Sequence, residues 1–531
     1  KGIVDGIAFL QQASGLILGV MGIVLLSLIL LTWVYPQLSE IGVMKAIGAS
    51  RQQLLSSFVM VLLIIIGLGV LIGTPLGYIT ASLYRGAVAF FQNFEPVRGL
   101  LPFPVHVLVT LLCLLIPLLF GGVPLLKSSR VTVNDALNKV FYVPRQGIFR
   151  WSQGLSIGAQ SRYSLHNLFR QSQRSMLLLL LLAVGLTLYF TATNVNHSIR
   201  SDLKSYAAGA SYQVVVFLPE QKSELPRFKA DLAYVKSAIP MSSERVTYLP
   251  PNHGRPELTR LRVMHADFVA TDQLMLRGEL DTRCTDCLYL SGEGMARQFE
   301  AVPLGAEIVL TGVDGPSENY RFSGVMKDLV AVGASFVRFD QEFAEGVEAY
   351  AFSIEKEREL EVENVIDQAF RDQGINIESI SSVKRKVDGI IGHLEPSFLI
   401  IKITGLFTIV LGLFGLMIVL NLSLKERTRE IGVMKSLGSS VSKVSALFNF
   451  EFGMISMVAL GVGALLAIPV SIALNGVIAE TIVGHPIAFQ NNFWALLITS
   501  TVILLVQFGL VTVNNRVKIA KNARELMEYQ F

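Results

Sequence analysis

Two cysteines separated by two residues, in the segment Cys284-Thr-Asp-Cys287, have the spacing of a redox or metal-binding pair. Such a pair can close a local disulfide or supply two thiolates to a zinc ion. A zinc site needs a second pair of Cys or His ligands at similar spacing, which the sequence lacks, so we predict no metal here. We interpret Cys284 and Cys287 as a local structural disulfide or as two free thiols.

Two ionisable residues, Lys402 and Glu451, fall inside apolar stretches that are long enough to cross a membrane. Charged groups in a bilayer are costly, and they mark either a function or an internal partner. Lys402 is near the outer end of its stretch, where its long stem can reach the surface. Glu451 is deeper, and two interpretations remain open: a group related to substrate or coupling, or a carboxylate bonded to a neighbouring helix.

Motifs of nucleotide and hydrolytic chemistry are missing from the sequence. It contains no G-x-x-x-x-G-K-[ST] loop for phosphates, no HExxH and no GxSxG. Its seven histidines are scattered, and no chain of Asp, Glu and His accompanies Glu451 as a proton-driven carrier would require. We therefore predict a chain with no catalytic residues and no cofactor of its own.

One eleven-residue segment occurs twice, as EIGVMKAIGAS at 40–50 and as EIGVMKSLGSS at 430–440. On a helix, four positions of each copy share a stripe, with one aliphatic residue beside it. The stripes are Ile41, Met44, Lys45 and Gly48 with Ile47 beside them, and Ile431, Met434, Lys435 and Gly438 with Leu437 beside them. Glycine costs a helix up to about 1 kcal/mol relative to alanine, so we expect close backbone approach or a helix end here.

A membrane-surface helix that merely turns the chain between spans would explain one copy of this segment. Two near-identical copies in otherwise diverged surroundings favour a two-fold partner that meets both copies in the same way. We therefore predict that the twin segments are docking sites for a partner outside this chain.

The composition indicates a membrane protein, because 52% of the residues are hydrophobic and only 16% are charged. Soluble proteins average about 25% charged residues. A membrane-crossing helix needs roughly 20 apolar residues. The predicted spans are 14–35, 54–82, 105–126, 175–195, 397–421, 444–474 and 493–513.

Lysine and arginine are distributed unevenly among the connecting segments. They concentrate in 127–174, in 423–443 and in the tail, whereas the loops 83–104 and 475–492 hold only Arg85 and Arg98. Short loops rich in Lys and Arg stay in the cytoplasm. Both twin segments are therefore predicted to be cytoplasmic and residues 196–395 extracytoplasmic. A net charge of +4 is too small to indicate nucleic acid as a partner.

The repeat extends beyond the twin segments, because Val-Asp-Gly-Ile precedes the first span at residue 4 and the fifth span at residue 387. Symmetry between the copies predicts a first helix and a first outer domain before Lys1. The predicted domains are 1–13 as the stub of that outer domain, 14–127 as repeat 1, 128–174 as a cytoplasmic linker, 175–195 as an additional span, 196–395 as the outer domain, 396–514 as repeat 2 and 515–531 as a cytoplasmic tail.

The outer segment has soluble composition and predicts two β-α-β units. The first has strands at 212–218 and 244–249 around a helix at 223–238, and the second has strands at 349–355 and 375–381 around a helix at 357–373. Short strand patterns lie between the two units. We predict one α+β lobe with a β-rich lobe inserted at about 258–345.

The twin motif, placed between two spans in both repeats, resembles the FtsX-like permease family. Its members are the membrane subunits of MacB- and LolCDE-type (type VII) ABC transporters. NLFRQSQRS before the fourth span, and VPLGAEIVL and YRFSGVMKD in the outer segment, are also similar to the family. The resemblance implies an α-helical multi-pass membrane protein with tandem three-helix repeats and an α+β, MacB-like extracytoplasmic domain in the inner membrane.

In that family the segment between the first two core spans is the coupling helix, which sits on a cytoplasmic ATPase dimer that binds ATP and Mg. The coupling residues implied here are Glu40, Ile41, Gly42, Met44, Lys45, Gly48, Glu430, Ile431, Gly432, Met434, Lys435 and Gly438. Membrane lipid and a periplasmic or lipoprotein accessory are further partners that the resemblance implies.

The function that the resemblance implies is mechanotransmission by a non-catalytic permease subunit. Its substrate would be amphiphilic, such as a lipid, lipoprotein, peptide or drug, exported or extracted on the outer side. The alternative is a signal transducer that activates an extracytoplasmic enzyme or sensor by the same mechanics. An apolar cleft beside the outer segment would favour transport, and a flat polar face would favour signalling.

Overall fold

The computed structural model describes residues 15–26, 28–29, 43–92, 107, 110–111, 115, 172–210, 212–222, 234–251, 255–266, 275–291, 299–313, 315–327, 336–341, 347–354, 358–479 and 486–519. The chain divides into two compact units. Residues 194–395 and 471–491 form most of one unit, the outer domain. Residues 9–193, 396–470 and 492–531 form the other, the helical unit.

Five of the described helices each contain one of the predicted spans. The described helices are α1 (Gly15–Leu26), α2 (Arg51–Gln92), α3 (Ser172–Gly209), α4 (Glu359–Asp372), α5 (Val383–Glu426), α6 (Thr428–Ser436), α7 (Val441–Ile478) and α8 (Phe493–Ile519). Five of them, α2, α3, α5, α7 and α8, are long and apolar enough to cross a membrane. Helix α1 covers part of the predicted span 14–35, and the predicted span 105–126 lies largely outside the described residues.

The outer domain is built on one mixed sheet of ten described strands. The strands are β1 (Val214–Lys222), β2 (Val235–Tyr248), β3 (Glu257–His265), β4 (Met275–Gly278), β5 (Cys287–Ser291), β6 (Glu307–Gly312), β7 (Ser317–Met326), β8 (Phe336–Asp340), β9 (Val347–Ile354) and β10 (Ser379–Ser382). Their order is β10-β1-β9-β2-β3-β8-β5-β7-β4, and β6 pairs with β2 and β7.

Two separate hydrophobic cores divide this sheet into the two lobes that the sequence predicts. One core packs Ile366 and Phe370 of α4 against Val216 and Phe352 of β1 and β9. The other core lies in the β-rich lobe around Phe322 and holds aliphatic and aromatic residues of β2, β3, β5, β6, β7 and β8. The lobes share one sheet because the fourteen-residue β2 pairs with β9 along its first part and with β3 and β6 along its second.

A buried arginine joins the two lobes. Arg262 on β3 is 1% exposed, and its Nη1 lies 3.3 Å from Glu348 Oε2 on β9. Its guanidinium also lies 5.9 Å from the ring centre of Phe217 on β1. Burial lowers the pKa of Arg262, and the Glu348 carboxylate opposes that shift. Because a buried charge without its partner is costly, this contact holds the lobes in one arrangement.

The predicted secondary structure of the outer domain is correct for the second β-α-β unit, since α4 connects β9 to β10. Strand β1 lies between β9 and β10 and pairs antiparallel with both, so these two run parallel. The predicted helix at 223–238 is wrong at residues 235–238, which belong to β2, and residues 223–233 lie outside the described residues. Pairing with Ile354, Ser353 and Phe352 of β9 overrides the helical pattern there.

Helix α5 is much longer than its predicted span. Its 44 residues correspond to about 66 Å, whereas the hydrocarbon core of a bilayer is about 30 Å thick. It begins directly after Ser382 of β10 and ends one residue before α6. Beyond the predicted spans, α5 pairs with α3 through Glu395 Oε1 and Arg200 Nη2, which are 2.6 Å apart.

Glycines allow the helices of the helical unit to approach closely. A Cβ atom at Gly405 of α5 would lie 2.7 Å from the backbone nitrogen of Tyr189 on α3, and one at Gly185 would lie 2.9 Å from that of Ile409. Small residues at such positions are typical of helix packing in membranes, where backbones must come near each other to gain contacts. The α3–α5 contact therefore depends on these glycines.

Replacing Gly405 with alanine tests this packing. We expect Gly405→Ala to destabilise the purified chain by about 1–3 kcal/mol, because the added methyl group would overlap the α3 backbone. Gly453→Ala on α7 is the matched control, because nothing lies within 4 Å of a Cβ atom there. Thermal unfolding in detergent measures both, and equal midpoints for the two variants would contradict the close contact.

Candidate functional site

The second twin segment forms a sharp corner between α6 and α7. Gly438 has a φ of 86°, its backbone N–H donates to the Lys435 carbonyl at 3.0 Å, and that of Ser439 donates to the Met434 carbonyl at 2.9 Å. This pair of bonds is a Schellman motif, which ends a helix at a left-handed residue that is usually glycine. Ser440 then caps α7, because its Oγ accepts from the Lys443 N–H at 3.3 Å.

The first twin segment forms the same corner, with one helical turn at residues 43–46. Gly48 has a φ of 103°, its N–H donates to the Lys45 carbonyl at 3.0 Å, and the Ala49 N–H donates to the Met44 carbonyl at 2.9 Å. Ser50 Oγ accepts from the Gln53 N–H at 3.3 Å and thereby caps α2. Of the expectations for Gly48 and Gly438, helix termination is the one that the structure shows.

The remaining residues of the first predicted coupling surface have different placements. Glu40, Ile41 and Gly42 lie outside the described residues. Met44 is 41% exposed and Lys45 is half-buried.

The predicted stripe of the second copy lies against the helical unit. Ile431 is 2% exposed and Gly432 is buried, while Met434 packs against the same core of long helices. Lys435 Nζ donates to the backbone carbonyl of Ile519, the last residue of α8, at 2.9 Å. A cation at this position suits the partial negative charge of a helix C-terminus. These residues therefore fix the corner to the bundle, and Glu430 beside them is exposed.

One aliphatic side chain projects outward from each corner. Ile47 is 82% exposed and Leu437 is 81% exposed, and the two occupy equivalent positions of the twin segments. Val43 and Val433, one turn earlier, are 46% and 44% exposed. We call Ile47 and Leu437 the apolar tips. The geometry of the turn explains the glycine, which has a positive φ, and the serine, which caps the next helix, in each copy. It does not explain why an aliphatic residue stands at either tip.

The buried carboxylate of Glu451 is paired with the residue that precedes α6. Arg427 Nη1 and Nη2 lie 2.8 and 3.0 Å from Glu451 Oε2 and Oε1, and the side chains are 1% and 4% exposed. The Arg427 guanidinium also lies 5.6 Å from the ring centre of Phe448. Of the two interpretations of Glu451, this geometry matches the carboxylate bonded to a neighbouring element.

Sequence reasoning missed Arg427 because it belongs to the charged run LKERTR (424–429), which is typical of a solvated cytoplasmic segment. A signal was present in the repeat. The first copy has no Lys or Arg at 31–39, before its Glu40, and Val61 stands 390 residues before Glu451. Both charges are absent together, as expected for an ion pair whose single members are costly when buried alone.

Further polar contacts tie the long helices together near this corner. Arg174 Nη1 of α3 lies 2.9 Å from Glu426 Oε1 of α5, and Asn514 of α8 donates to Asn421 of α5 at 2.9 Å. Asn449 of α7 also donates to Thr512 of α8 at 2.9 Å. The second corner is thus attached to a bundle whose helices are themselves joined by hydrogen bonds and ion pairs.

The other two predicted sites lie elsewhere. Lys402 is half-buried on α5. Cys284 and Cys287 form a disulfide in the β-rich lobe. Of the two interpretations, a disulfide or two free thiols, the structure shows the disulfide.

Comparisons with known proteins agree with this architecture. The family model described as FtsX-like permease C-terminal matches residues 13–133 and 402–521, one match on each repeat. No curated protein matches the chain.

Two solved structures resemble part of the chain. A domain assigned to a permease protein from Porphyromonas gingivalis is 14% identical, covers 31% of this chain and 83% of its own, and has a TM-score of 0.22. The extracellular domain of the noncanonic ABC-type transporter YknZ from Gram-positive bacteria is 11% identical, covers 32% and 98%, and has a TM-score of 0.21.

Five described helices long and apolar enough to cross a membrane, with a separate sheet domain, are the architecture of a multi-pass membrane protein. The two family matches place a region similar to the FtsX-like permease C-terminal domain in each repeat, and so indicate a membrane permease. A match to this family implies a cytoplasmic ATPase as a partner in general.

The Arg427–Glu451 pair makes a testable contribution to folding. We expect Glu451→Ala to destabilise the chain by about 3–5 kcal/mol, because it leaves a buried guanidinium without its partner. Arg427→Met combined with Glu451→Leu should recover most of that loss, since neither charge then remains buried. Glu430→Ala, at an exposed carboxylate of α6, is the control and should cost less than about 1 kcal/mol.

Thermal unfolding of the four purified proteins provides the measurement. A double variant as unstable as Glu451→Ala would show that the pair stabilises the fold in some way other than mutual neutralisation.

Proposed function

We propose that the two corners are docking sites for a cytoplasmic ATPase dimer, and that this chain transmits closure of the dimer to its outer domain. The observation that carries the proposal is the pair of apolar tips. Two corners with the same backbone bonds present an aliphatic side chain that is 82% exposed in one copy and 81% in the other. A two-fold partner would meet two such corners in equivalent ways.

The apolar tips suit a docking role because each is a small anchor on a rigid turn. Binding energy at protein interfaces is concentrated in a few anchors that fill pockets on the partner. The Schellman turn and the serine cap hold each tip in place before binding, so little conformational entropy is lost on docking. Exposed Leu437 and Ile47 would each insert into a hydrophobic groove of one ATPase subunit.

The second corner is built to transmit force into the bundle. Arg427–Glu451 attaches the start of α6 to α7, and Lys435 attaches its end to α8. Helix α5, which contains Pro396, begins next to β10 of the outer domain and ends at this corner. Movement of the corner would therefore travel along α5 to the sheet, which is the mechanical coupling that the proposal requires.

The proposed substrate is amphiphilic (a lipid, lipoprotein, peptide or drug) and is engaged on the outer side of the membrane. The pairing of Glu451 supports this choice over an ion-driven carrier. Its carboxylate is held by both Nη atoms of Arg427 in a bidentate ion pair, so it has a structural partner within this chain. ATP and Mg would be bound by the ATPase, and this chain would be a non-catalytic subunit for ATP hydrolysis.

A second candidate, activation of an extracytoplasmic protein, is favoured by one surface of the β-rich lobe. On the face of this lobe opposite its core, Thr247 of β2 pairs with Leu258 of β3 and with Thr311 of β6. The exposed aliphatic residues at this face are Leu249, Leu258, Val309 and Val313. A flat face of mixed polarity is typical of protein contacts.

Reconstitution with the ATPase partner in lipid vesicles separates the two candidates. ATP-dependent release of a labelled lipid or lipopeptide to a soluble acceptor would support transport. Nucleotide-driven movement of the outer domain with no release would support signalling.

Charged substitutions at the apolar tips test the docking proposal. Leu437→Asp and Ile47→Asp should each lower ATPase binding at least tenfold, because a carboxylate cannot enter a hydrophobic groove unpaired. Val517→Asp is the matched control, because Val517 near the end of α8 is 72% exposed and lies outside both corners. The measurement is co-purification of the ATPase from membranes, together with the amount of each variant inserted.

Undiminished co-purification with both tips replaced would refute docking at the corners. Met434 and Gly438 are less informative positions for this test, since one packs in the core and the other holds the left-handed turn.

A further inference from the structure

The disulfide of the β-rich lobe has one accessible and one buried sulfur. Cys284 is half-buried in the turn that follows β4, whereas Cys287, the first residue of β5, is 4% exposed. Thiol–disulfide exchange proceeds by attack of a thiolate on one sulfur, and access decides which sulfur is attacked. An incoming thiolate would therefore reach Cys284 and expel Cys287.

A purely structural role explains this disulfide poorly. A cross-link stabilises a protein mainly by restricting the unfolded chain, and a link between residues only three apart restricts it least. Disulfide staples are characteristic of small domains that lack a sufficient core. The outer domain instead has two hydrophobic cores, one in each lobe.

A guanidinium is held against both sulfurs. Arg321 on β7 is the register partner of Cys287, and its Nη2 lies 3.2 Å from Cys284 Sγ and 3.4 Å from Cys287 Sγ. The backbone N–H of Arg321 donates to the Asp286 carbonyl at 2.7 Å and so fixes the turn to β7. Adjacent Arg or Lys favours a thiolate over a thiol and makes it a better leaving group.

A carboxylate completes the site. Asp286 Oδ1 lies 3.0 Å from Cys284 Sγ and 3.7 Å from Arg321 Nη2. In the reduced protein, the Cys284 thiol could donate a hydrogen bond to this carboxylate, while Arg321 would remain beside the Cys287 thiolate. The two sulfurs thus have different surroundings, as an exchange site requires.

We propose that Cys284–Cys287 is a thiol–disulfide exchange site whose substrate is an extracytoplasmic protein dithiol. One thiolate of the dithiol attacks Cys284 Sγ, a mixed disulfide forms, and the Cys284–Cys287 bond breaks to leave a Cys287 thiolate beside Arg321. The second thiolate of the substrate then attacks the substrate sulfur that is bonded to Cys284, and it expels Cys284 as a thiolate. The dithiol is oxidised to a disulfide, and the pair in this chain is reduced by the same two electrons.

The test uses the 531-residue chain carrying Cys113→Ser in detergent, with dithiothreitol as the dithiol and maleimide labelling to count free thiols. We expect reduction while the protein is folded, followed by re-oxidation with a small disulfide. Arg321→Gln should slow reduction about tenfold, since the leaving thiolate loses its charge partner. Arg321→Lys should restore most of the rate, because it restores the positive charge beside the leaving thiolate. If Arg321 had only a structural role, restoring the charge alone would not restore the rate.

Arg283→Gln is the matched control, because it removes the same charge from the residue next to Cys284 and should leave the rate unchanged. A disulfide that is reduced only when the domain unfolds would overturn the proposal, as would equal slowing by Arg283→Gln and Arg321→Gln. None of these outcomes depends on ATPase docking, because the assay contains this chain alone.

Discussion

The bidentate ion pair between Arg427 and Glu451 fixes the point at which the longest helix meets the second corner. Removing two charges from water costs several kcal/mol for each ion, and only close pairing with hydrogen bonds offsets that cost. The pair therefore adds little net stability, but it permits few other arrangements of α6 on α7. On the docking proposal, this fixed placement would let the nine-residue α6 move as one rigid element.

The two corners share their turn but differ in their attachment. Both use a left-handed glycine and a serine cap, so the same backbone geometry arises twice from the same short sequence. The ion pair belongs to the second copy, because the first has no Lys or Arg at 31–39 and has Val61 at the position 390 residues before Glu451. The partner would meet two equivalent surfaces, while the second corner has an additional fixed link to its own bundle.

Much of the architecture could be predicted from the sequence, because hydrophobic length and the distribution of Lys and Arg are local properties. The five long helices and the α4 unit follow from such patterns. The buried face of α6 could not be predicted from the sequence. An apolar stripe containing Ile431 and Met434 could contact either a partner or the chain's own helices, and only the tertiary packing shows that it contacts the helices. The burial of Arg427 and the strand at 235–238 also depend on residues distant in sequence.

The most direct test of the account is a distance measurement by electron paramagnetic resonance between spin labels at Glu318 in the outer domain and Met457 on α7. The reconstituted complex would be compared without nucleotide and with ATP trapped on a hydrolysis-deficient ATPase. The account predicts that the distance distribution shifts on ATP binding, and that the shift disappears when Ile47 and Leu437 are both replaced by aspartate. A shift that persists with both tips replaced, or no shift in the unmodified protein, would contradict entry of force through the two corners.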